Sequence, residues 1–221
     1  MTKPPARVPQ RRNARSNRER ILATARRELG LNPDITLEEL ARASGVVRRT
    51  LFGHFPGREA LLEALAEEAA EALRGALPAD PASSEAEESA ERSLARFVLS
   101  MWTVGDRYRL LLALARRDLG QERVTEVLAP ARRVGTAILD RGQRDGVFHT
   151  QLPSAVLSAG MEGMTIALLE AVNSGELEDD GTRAAVASLI AAGVPEKQAR
   201  VVVDEVAPEE AARAAKTAAD D

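Results

Sequence analysis

The sequence contains no cysteine and only two histidines, His54 and His149. Without thiols the chain cannot form a disulfide framework, use a thiolate nucleophile or build a thiolate metal site. Neither histidine follows a glutamate by three residues, the spacing of carboxylate metal sites between paired helices. We therefore expect no cofactor, no metal and no enzymatic activity.

Long apolar runs are also missing. No run of apolar residues is long enough to span a bilayer, and the basic N-terminus lacks the apolar stretch of a signal peptide. We expect a cytoplasmic protein with no membrane partner. Strand-like alternation, internal repeats and heptads are absent as well, whereas apolar residues recur at helical spacing, so the sequence predicts an all-α fold.

Charge is divided unevenly along the chain. Residues 1–58 carry 13 Lys and Arg against 5 Asp and Glu, a net charge of +8. Since the whole chain has a net charge of −4, residues 59–221 carry −12. A basic segment followed by an acidic body indicates nucleic-acid binding through the basic segment only.

Residues 36–55 predict two short helices joined by a tight turn. Thr36 and Glu39 have the spacing of a capping box at the start of the first helix. Gly45 stands where the turn needs a residue that enters the left-handed region easily. Behind the turn, Arg48 and Arg49 are left to face outward. This is the pattern of a helix-turn-helix motif, whose second helix enters the DNA major groove.

The segment from Gly45 to Leu62 closely resembles the signature of the tetracycline-repressor (TetR) family. The matching residues are Thr50, Leu51, His54, Phe55, Arg58, Glu59 and Leu61. Two positions depart from the signature: Val47 replaces a serine that caps the second helix, and Phe52 replaces a tyrosine. The resemblance covers about the first quarter of the chain.

This resemblance implies an N-terminal three-helix helix-turn-helix DNA-binding domain followed by an antiparallel helical-bundle domain for ligand binding and dimerisation. It implies a homodimer on a palindromic operator in double-stranded DNA, paired through the helices at about 153–173 and 182–192. It also implies a repressor that is released by a small apolar or amphipathic effector. A DNA-binding regulator without an effector, constitutive or controlled by a protein partner, remains the alternative.

The predicted DNA contacts fall into two groups. Arg48 and Arg49 are expected to read base edges, because arginine pairs with guanine in the major groove, and Thr50 to share this role or contact the backbone. The other expected contacts position the protein on phosphates or flank the motif: Thr36, Val47, Phe52, His54, Arg58, Arg15 and Arg18.

Domain boundaries follow from breaks in the helical pattern. We expect a disordered basic arm at 1–14 that either follows DNA or is a solvated tail, a first helix from about Asn17 to Leu29, and a DNA-binding domain at 15–58. A connecting helix at 59–77 would open an effector and dimerisation domain at 59–207. Further predictions are a break at 78–84, a turn at Gly105-Asp106, a last helix at 197–206 and a flexible tail at 208–221.

Six large or adaptable side chains in the body are candidates for an effector site: Phe97, Met101, Trp102, Tyr108, Met161 and Met164. Ordinary core packing explains them equally well. The effector-site interpretation depends on the resemblance, together with the suitability of methionine and aromatic side chains for an apolar guest. Arg109, Glu162 or His149 could add a polar contact, and the sequence does not choose between them.

Overall fold

The protein is helical throughout the part of the chain that the structure describes. The computed structural model describes residues 8–77 and 88–220. Its helices are α1 (Val8–Leu31), α2 (Leu37–Ala43), α3 (Arg48–His54), α4 (Arg58–Ala76), α5 (Ala90–Asp118), α6 (Gly120–Arg144), α7 (Ser154–Ser174), α8 (Thr182–Ala191) and α9 (Glu196–Asp220). Within these residues there is no strand, and the predicted all-α fold is confirmed.

Contacts divide the chain into two compact units. Unit 1 comprises Met1–Glu68 and Leu110–Thr125, and unit 2 comprises Ala69–Arg109 and Glu126–Asp221. Residues 110–125 fall in the predicted effector and dimerisation domain, yet they belong to unit 1. Unit 1 is therefore larger than the predicted DNA-binding domain. The reason is packing between segments distant in sequence. A Cβ built on Gly30 of α1 would lie 2.6 Å from Leu110 Cδ1, so α1 and this part of α5 are in close contact.

The helix-turn-helix lies in unit 1 as predicted. α2 begins after Thr36, and the turn passes through Gly45, whose φ of +64° favours glycine. The Val46 N–H donates to the Ala41 carbonyl at 3.0 Å, which closes the turn after α2. A compact apolar core holds the helices, and its fully buried members include Ile21, Ala25, Leu29, Leu40, Leu51 and Leu61.

Unit 2 has a separate apolar core built from α5, α6, α7, α8 and α9. Its buried members include Leu94, Val98, Trp102, Leu139, Leu157, Met161, Leu189 and Val203. Gly142 of α6 lets the segment after this helix fold back closely, because a Cβ at that position would overlap the Phe148 ring. His149 fixes the segment before α7, since its Nε2 lies 2.8 Å from the Ala191 carbonyl oxygen.

The first helix begins nine residues before its predicted start at Asn17. α1 starts at Val8, so residues 8–14, which we expected to be disordered, are helical. The absence of an apolar stripe there predicted a tail, but a polar segment of good helix formers can extend a helix that is already anchored. Pro9 is compatible with the first turn, because its missing N–H has no helical acceptor there. The rest of the predicted arm, residues 1–7, lies outside the described residues.

The predicted turn at Gly105-Asp106 is wrong. α5 runs without interruption from Ala90 to Asp118. A Cβ on Gly105 would lie 3.0 Å from Leu169 Cδ1, so the glycine serves close packing against α7. Asp106 pairs with Arg109 on the next turn of the same helix, with Oδ1 2.7 Å from Nε.

The predicted helix end before Pro208 is also wrong. α9 continues through Pro208 to Asp220, so the residues expected to form a flexible tail extend the last helix. Arg96 Nη1 lies 2.7 Å from Glu210 Oε1 and Arg92 Nη2 lies 3.0 Å from Glu209 Oε1. These ion pairs hold the helix beyond the proline. The predicted break at 78–84 lies outside the described residues.

Candidate nucleic-acid interface

The second helix of the motif, α3, buries one side and exposes the other. Leu51 is fully buried in unit 1. Arg49 and Gly53, four residues apart, lie on the opposite, exposed side. A Cβ built on Gly53 would meet no atom within 4 Å, so no protein packing requires glycine there. The exposed side of α3 therefore presents a long cation beside a position without a side chain.

The two arginines of α3 differ in their surroundings. Arg48 Nη2 lies 3.1 Å from Glu38 Oε1 on α2, and its guanidinium carbon lies 5.1 Å from the centre of the Phe52 ring. Arg48 is thus held against the protein by an ion pair and a cation–π contact. Arg49 is exposed and forms no ion pair or hydrogen bond with any side chain that the structure describes. Of the two, Arg49 has all of its donors available to a ligand.

Val47 precedes α3 and is 69% exposed. Its backbone is extended, with φ −74° and ψ 149°, and no side chain caps the helix. Thr50 on the next turn is half-buried, and its N–H donates to the Val47 carbonyl at 2.9 Å. The hydroxyl lost with the family's serine therefore has no substitute.

Thr36 and Glu39 form the predicted capping box. The Glu39 N–H donates to Thr36 Oγ1 at 3.2 Å, and the Thr36 N–H donates to Glu39 Oε2 at 2.9 Å. The backbone and hydroxyl hydrogen bonds from Thr36 lower the pKa of the Glu39 carboxyl below its ordinary value. Both residues are exposed. The box fixes the start of α2, the helix that carries the Glu38 partner of Arg48.

Arg58, expected to contact phosphate, is engaged inside unit 1. Its guanidinium donates to the Ile35 carbonyl at 3.2 Å and to the Pro33 carbonyl, and Nε lies 3.2 Å from Asp118 Oδ2. The residue ties the loop before α2 to the end of α5. A phosphate contact by Arg58 stays a prediction.

The remaining predicted DNA contacts are His54 at the end of α3 and two arginines of α1, Arg15 and Arg18. His54 is half-buried at the end of α3, with its ring centre 6.2 Å from that of Phe55. The Arg18 guanidinium carbon lies 5.6 Å from the Phe55 ring centre, which connects α1 to the end of α3. Arg15 is exposed and pairs with Glu19 at 2.8 Å.

The six candidate effector residues divide by burial. Trp102, Tyr108 and Met161 are buried, and the other three are half-buried: Phe97, Met101 and Met164. Trp102 packs on Gly181, where a Cβ would lie 2.8 Å from Trp102 Cγ. Phe97 packs on Gly135, where a Cβ would lie 3.0 Å from Phe97 Cε1. A role in binding a ligand stays a prediction for all six.

The three candidate polar contacts already have partners. Arg109 binds Asp106 and Asn173, and Glu162 forms a two-point ion pair with Arg132 at 2.6 and 2.9 Å. His149 contacts the Ala191 carbonyl.

An open groove of about 490 Å³ lies on α6 near the start of α7, and none of the six candidate effector residues lines it. Its lining is Ala129, Arg132, Arg133, Thr136, Ala137, Asp140 and Ser154.

Sequence reasoning missed two residues of the interface. Glu38 orients Arg48 from the neighbouring helix, and no local spacing rule links positions ten residues apart across a turn. Gly53 is not among the residues that the sequence pattern singles out. The sequence could have revealed it, because a glycine inside a short helix lowers helix stability, and its presence there indicates a role other than helix formation. The Arg48–Phe52 contact has the i, i+4 spacing that sequence can reveal.

Comparison with known proteins agrees with this geometry. Residues 21–65 match the family model of bacterial regulatory proteins of the tetR family, a segment that contains α2 and α3. No curated protein sequence gives a significant match.

Solved structures match over most of the chain. A putative TetR-family transcriptional regulator from Rhodococcus sp. is 18% identical, covers 82% of this chain and 99% of its own, with a TM-score of 0.65. LfrR from Mycobacterium smegmatis, in complex with proflavine, is 23% identical, covers 80% and 94%, with a TM-score of 0.59. RolR in complex with resorcinol is 22% identical, covers 87% and 95%, with a TM-score of 0.55. Residues 21–65 therefore match the N-terminal domain of tetR-family bacterial regulatory proteins, and the chain as a whole shares the fold of these solved structures.

Proposed function

We propose that the protein is a homodimeric, sequence-specific transcriptional repressor that leaves a palindromic operator when a small molecule binds unit 2. The observation that carries the DNA-binding part is Arg49, which is exposed on the outer side of α3 and has no side-chain partner among residues 8–77 and 88–220. Arginine at this place can bond two acceptors of guanine in the major groove. The net charge of +8 on residues 1–58 adds attraction to phosphate that is independent of sequence.

A single short helix contacts too few base pairs for tight binding, so two copies must act together. The exposed apolar surface of α7 supports a dimer interface on this helix. Although Glu162 and Glu170 interrupt its apolar residues, α7 is apolar enough on average to qualify as a membrane span by length and composition, yet only 22% of its most apolar 18-residue window is buried in the protomer. An apolar surface of this kind on a soluble protein indicates a partner.

The exposed side of α7 has the composition of a helix–helix interface. It carries mostly small residues at helical spacing: Val156, Ala159, Gly160, Gly163 and Ala167. α8 adds Ile190, which is 43% exposed. We propose that these two helices pair with their copies across a two-fold axis, which places the two α3 helices on half-sites related by the same axis. The regulator would act in the cytoplasm.

Effector release needs a ligand that binds one conformation better than the other. Two of the structural relatives carry proflavine and resorcinol, both aromatic molecules. An apolar or amphipathic ligand of this class would suit the side chains around Trp102 and Met161. The connecting helix α4, which contributes residues to both units, is the element through which we propose that the change is transmitted.

The DNA-binding proposal is tested by selecting sequences from a random duplex library with the full chain, then measuring affinity for the selected site and for random DNA. We expect a palindrome, and we expect Arg49→Ala to lose roughly 1–3 kcal/mol on it with little change on random DNA. Arg133→Ala removes another exposed arginine, from unit 2, and serves as the control. Equal losses for Arg49→Ala on both DNAs would make Arg49 a phosphate contact.

A regulator without an effector is the second candidate, and the packing of Trp102 on Gly181 and of Phe97 on Gly135 favours it. A thermal-shift screen of aromatic compounds that includes proflavine and resorcinol separates the two. A compound that binds only the folded state raises the melting temperature. A hit that also releases the selected DNA supports the sensor, whereas stabilisation without release supports the alternative.

A further inference from the structure

Val47 gives the protomer neither packing nor a helix cap. Its side chain is 69% exposed, and α3 begins without any side-chain cap. Single exposed apolar residues are common on protein surfaces. Val47 differs from them because of its position. At the residue before a helix, Ser, Thr, Asp or Asn is strongly preferred over valine, since the side-chain oxygen accepts an otherwise unpaired N–H.

The benefit of valine must therefore come from outside the protomer. In helix-turn-helix proteins the N-terminal residues of the recognition helix contact base edges. At this place a serine hydroxyl could serve both the cap and a phosphate or base. A valine offers two methyl groups and no hydrogen bond. Its contact must accordingly be an apolar one.

Only one apolar group is displayed in the major groove of ordinary DNA, the 5-methyl group of thymine. We propose that Val47 is a specificity-determining residue that packs against a pyrimidine 5-methyl group, that of thymine, at one position of each operator half-site. The inference rests on the proposed function, because it needs α3 in the major groove. Thr50, which also carries a methyl group and lies three residues after Val47, is half-buried and less able to make this contact.

The surroundings of Val47 fit this assignment. The Arg48 guanidinium is engaged by Glu38 and by the Phe52 ring, whereas the Val47 side chain is exposed. Arg49 remains available for guanine on a neighbouring base pair. The first residues of α3 would thus combine an apolar contact with a charged one.

The test uses the site selected from the random library. In this duplex each pair of thymines related by the two-fold symmetry is replaced in turn by deoxyuridine, which removes only the methyl groups. For the wild-type protein we expect one symmetric pair of replacements to weaken binding. Burial of one CH₂-sized group corresponds to roughly fourfold in an equilibrium constant, so two half-sites give roughly sixteenfold. For Val47→Ala and Val47→Ser, we expect the same replacement to have almost no effect.

Val201→Ala is the matched control, because Val201 is 51% exposed in α9 of unit 2. It should keep the full uridine penalty. A C·G pair placed at the sensitive position should bind better when the cytosine carries a 5-methyl group, since the contact requires the methyl and not the base. The comparison of the methylated and unmethylated C·G duplexes also shows whether 5-methylcytosine can make the same contact with Val47.

The outcomes are distinguishable. If no duplex is selected, the proposed function fails. If a site is selected but no uridine replacement weakens binding, or if Val47→Ala keeps the wild-type penalty, the Val47 assignment is overturned while DNA binding stands.

Discussion

Arg58 and Asp118 form an ion pair between residues sixty positions apart, with Nε 3.2 Å from Oδ2. The same guanidinium donates to the carbonyls of Pro33 and Ile35. One side chain thus ties the loop before α2 to the end of α5 within unit 1. Arg117 also pairs with Asp118, at 2.6 Å. The carboxylate therefore joins two arginines from different helices.

Asp118→Asn should lower stability in a pH-dependent way. Hydrogen bonds from Arg117 and from Arg58 lower the pKa of the Asp118 carboxyl. Because the pKa is lower in the folded state, the stabilisation is complete above the unfolded value of about 3.9 and is lost as pH falls through the folded value. The pair is partly exposed, so we expect a loss of up to about 1 kcal/mol at pH 7.

The measurement is denaturant unfolding of wild type and Asp118→Asn at equal protomer concentration. The difference between the two proteins should be constant from pH 7 to about pH 5 and should shrink below about pH 4. A difference that persisted unchanged at pH 3 would assign the effect to packing instead of charge.

Gly53→Ala should stabilise the protein and weaken operator binding. The new Cβ meets no atom within 4 Å, and alanine in a helix is favoured over glycine by roughly 0.5–1 kcal/mol. If α3 lies against DNA, the same methyl group would obstruct its approach. Gly75→Ala in α4 is the control, since its Cβ also meets nothing within 4 Å. It should not change affinity for the selected duplex. Unchanged affinity for Gly53→Ala would show that this side of α3 is not tightly enclosed.

Gly163→Arg should separate the proposed dimer. A Cβ at Gly163 meets no atom of its own protomer within 4 Å, so the fold can accommodate the substitution. An arginine there would place two charges against each other across the two-fold axis. Light scattering should give a monomer mass, and palindrome affinity should fall. Ala137→Arg, on the exposed side of α6, should remain a dimer. A dimeric Gly163→Arg would move the interface away from this side of α7.

Gly181→Ala should be more damaging than Gly175→Ala. Both glycines have positive φ, +101° and +76°, so each substitution carries left-handed strain of roughly 1–2 kcal/mol. Only at Gly181 does the added Cβ also collide with Trp102, which adds roughly 1–3 kcal/mol. Equal melting temperatures for the two variants would mean that the indole can move aside without loss.

The sequence predicted best what is fixed locally. The capping box at Thr36, the turn at Gly45 and a short helix after that turn depend on residues a few positions apart, and all three are found as expected. It failed where a distant contact decides. Gly105 predicts a turn from sequence, but in the structure it allows close packing of α5 against Leu169. Pro208 predicts a helix end, but ion pairs of Arg92 and Arg96 with residues beyond it hold α9 together. The internal partners of Arg58 were hidden for the same reason.

The chain has a single tryptophan, and it is 2% exposed in the core of unit 2. Its fluorescence therefore arises from one known place, shielded from water and seated on a glycine that anchors the start of α8. Any molecule that enters this region, or any rearrangement that unseats the indole, should change the emission without a label. The protein thus contains its own optical probe for the event by which it would sense its ligand.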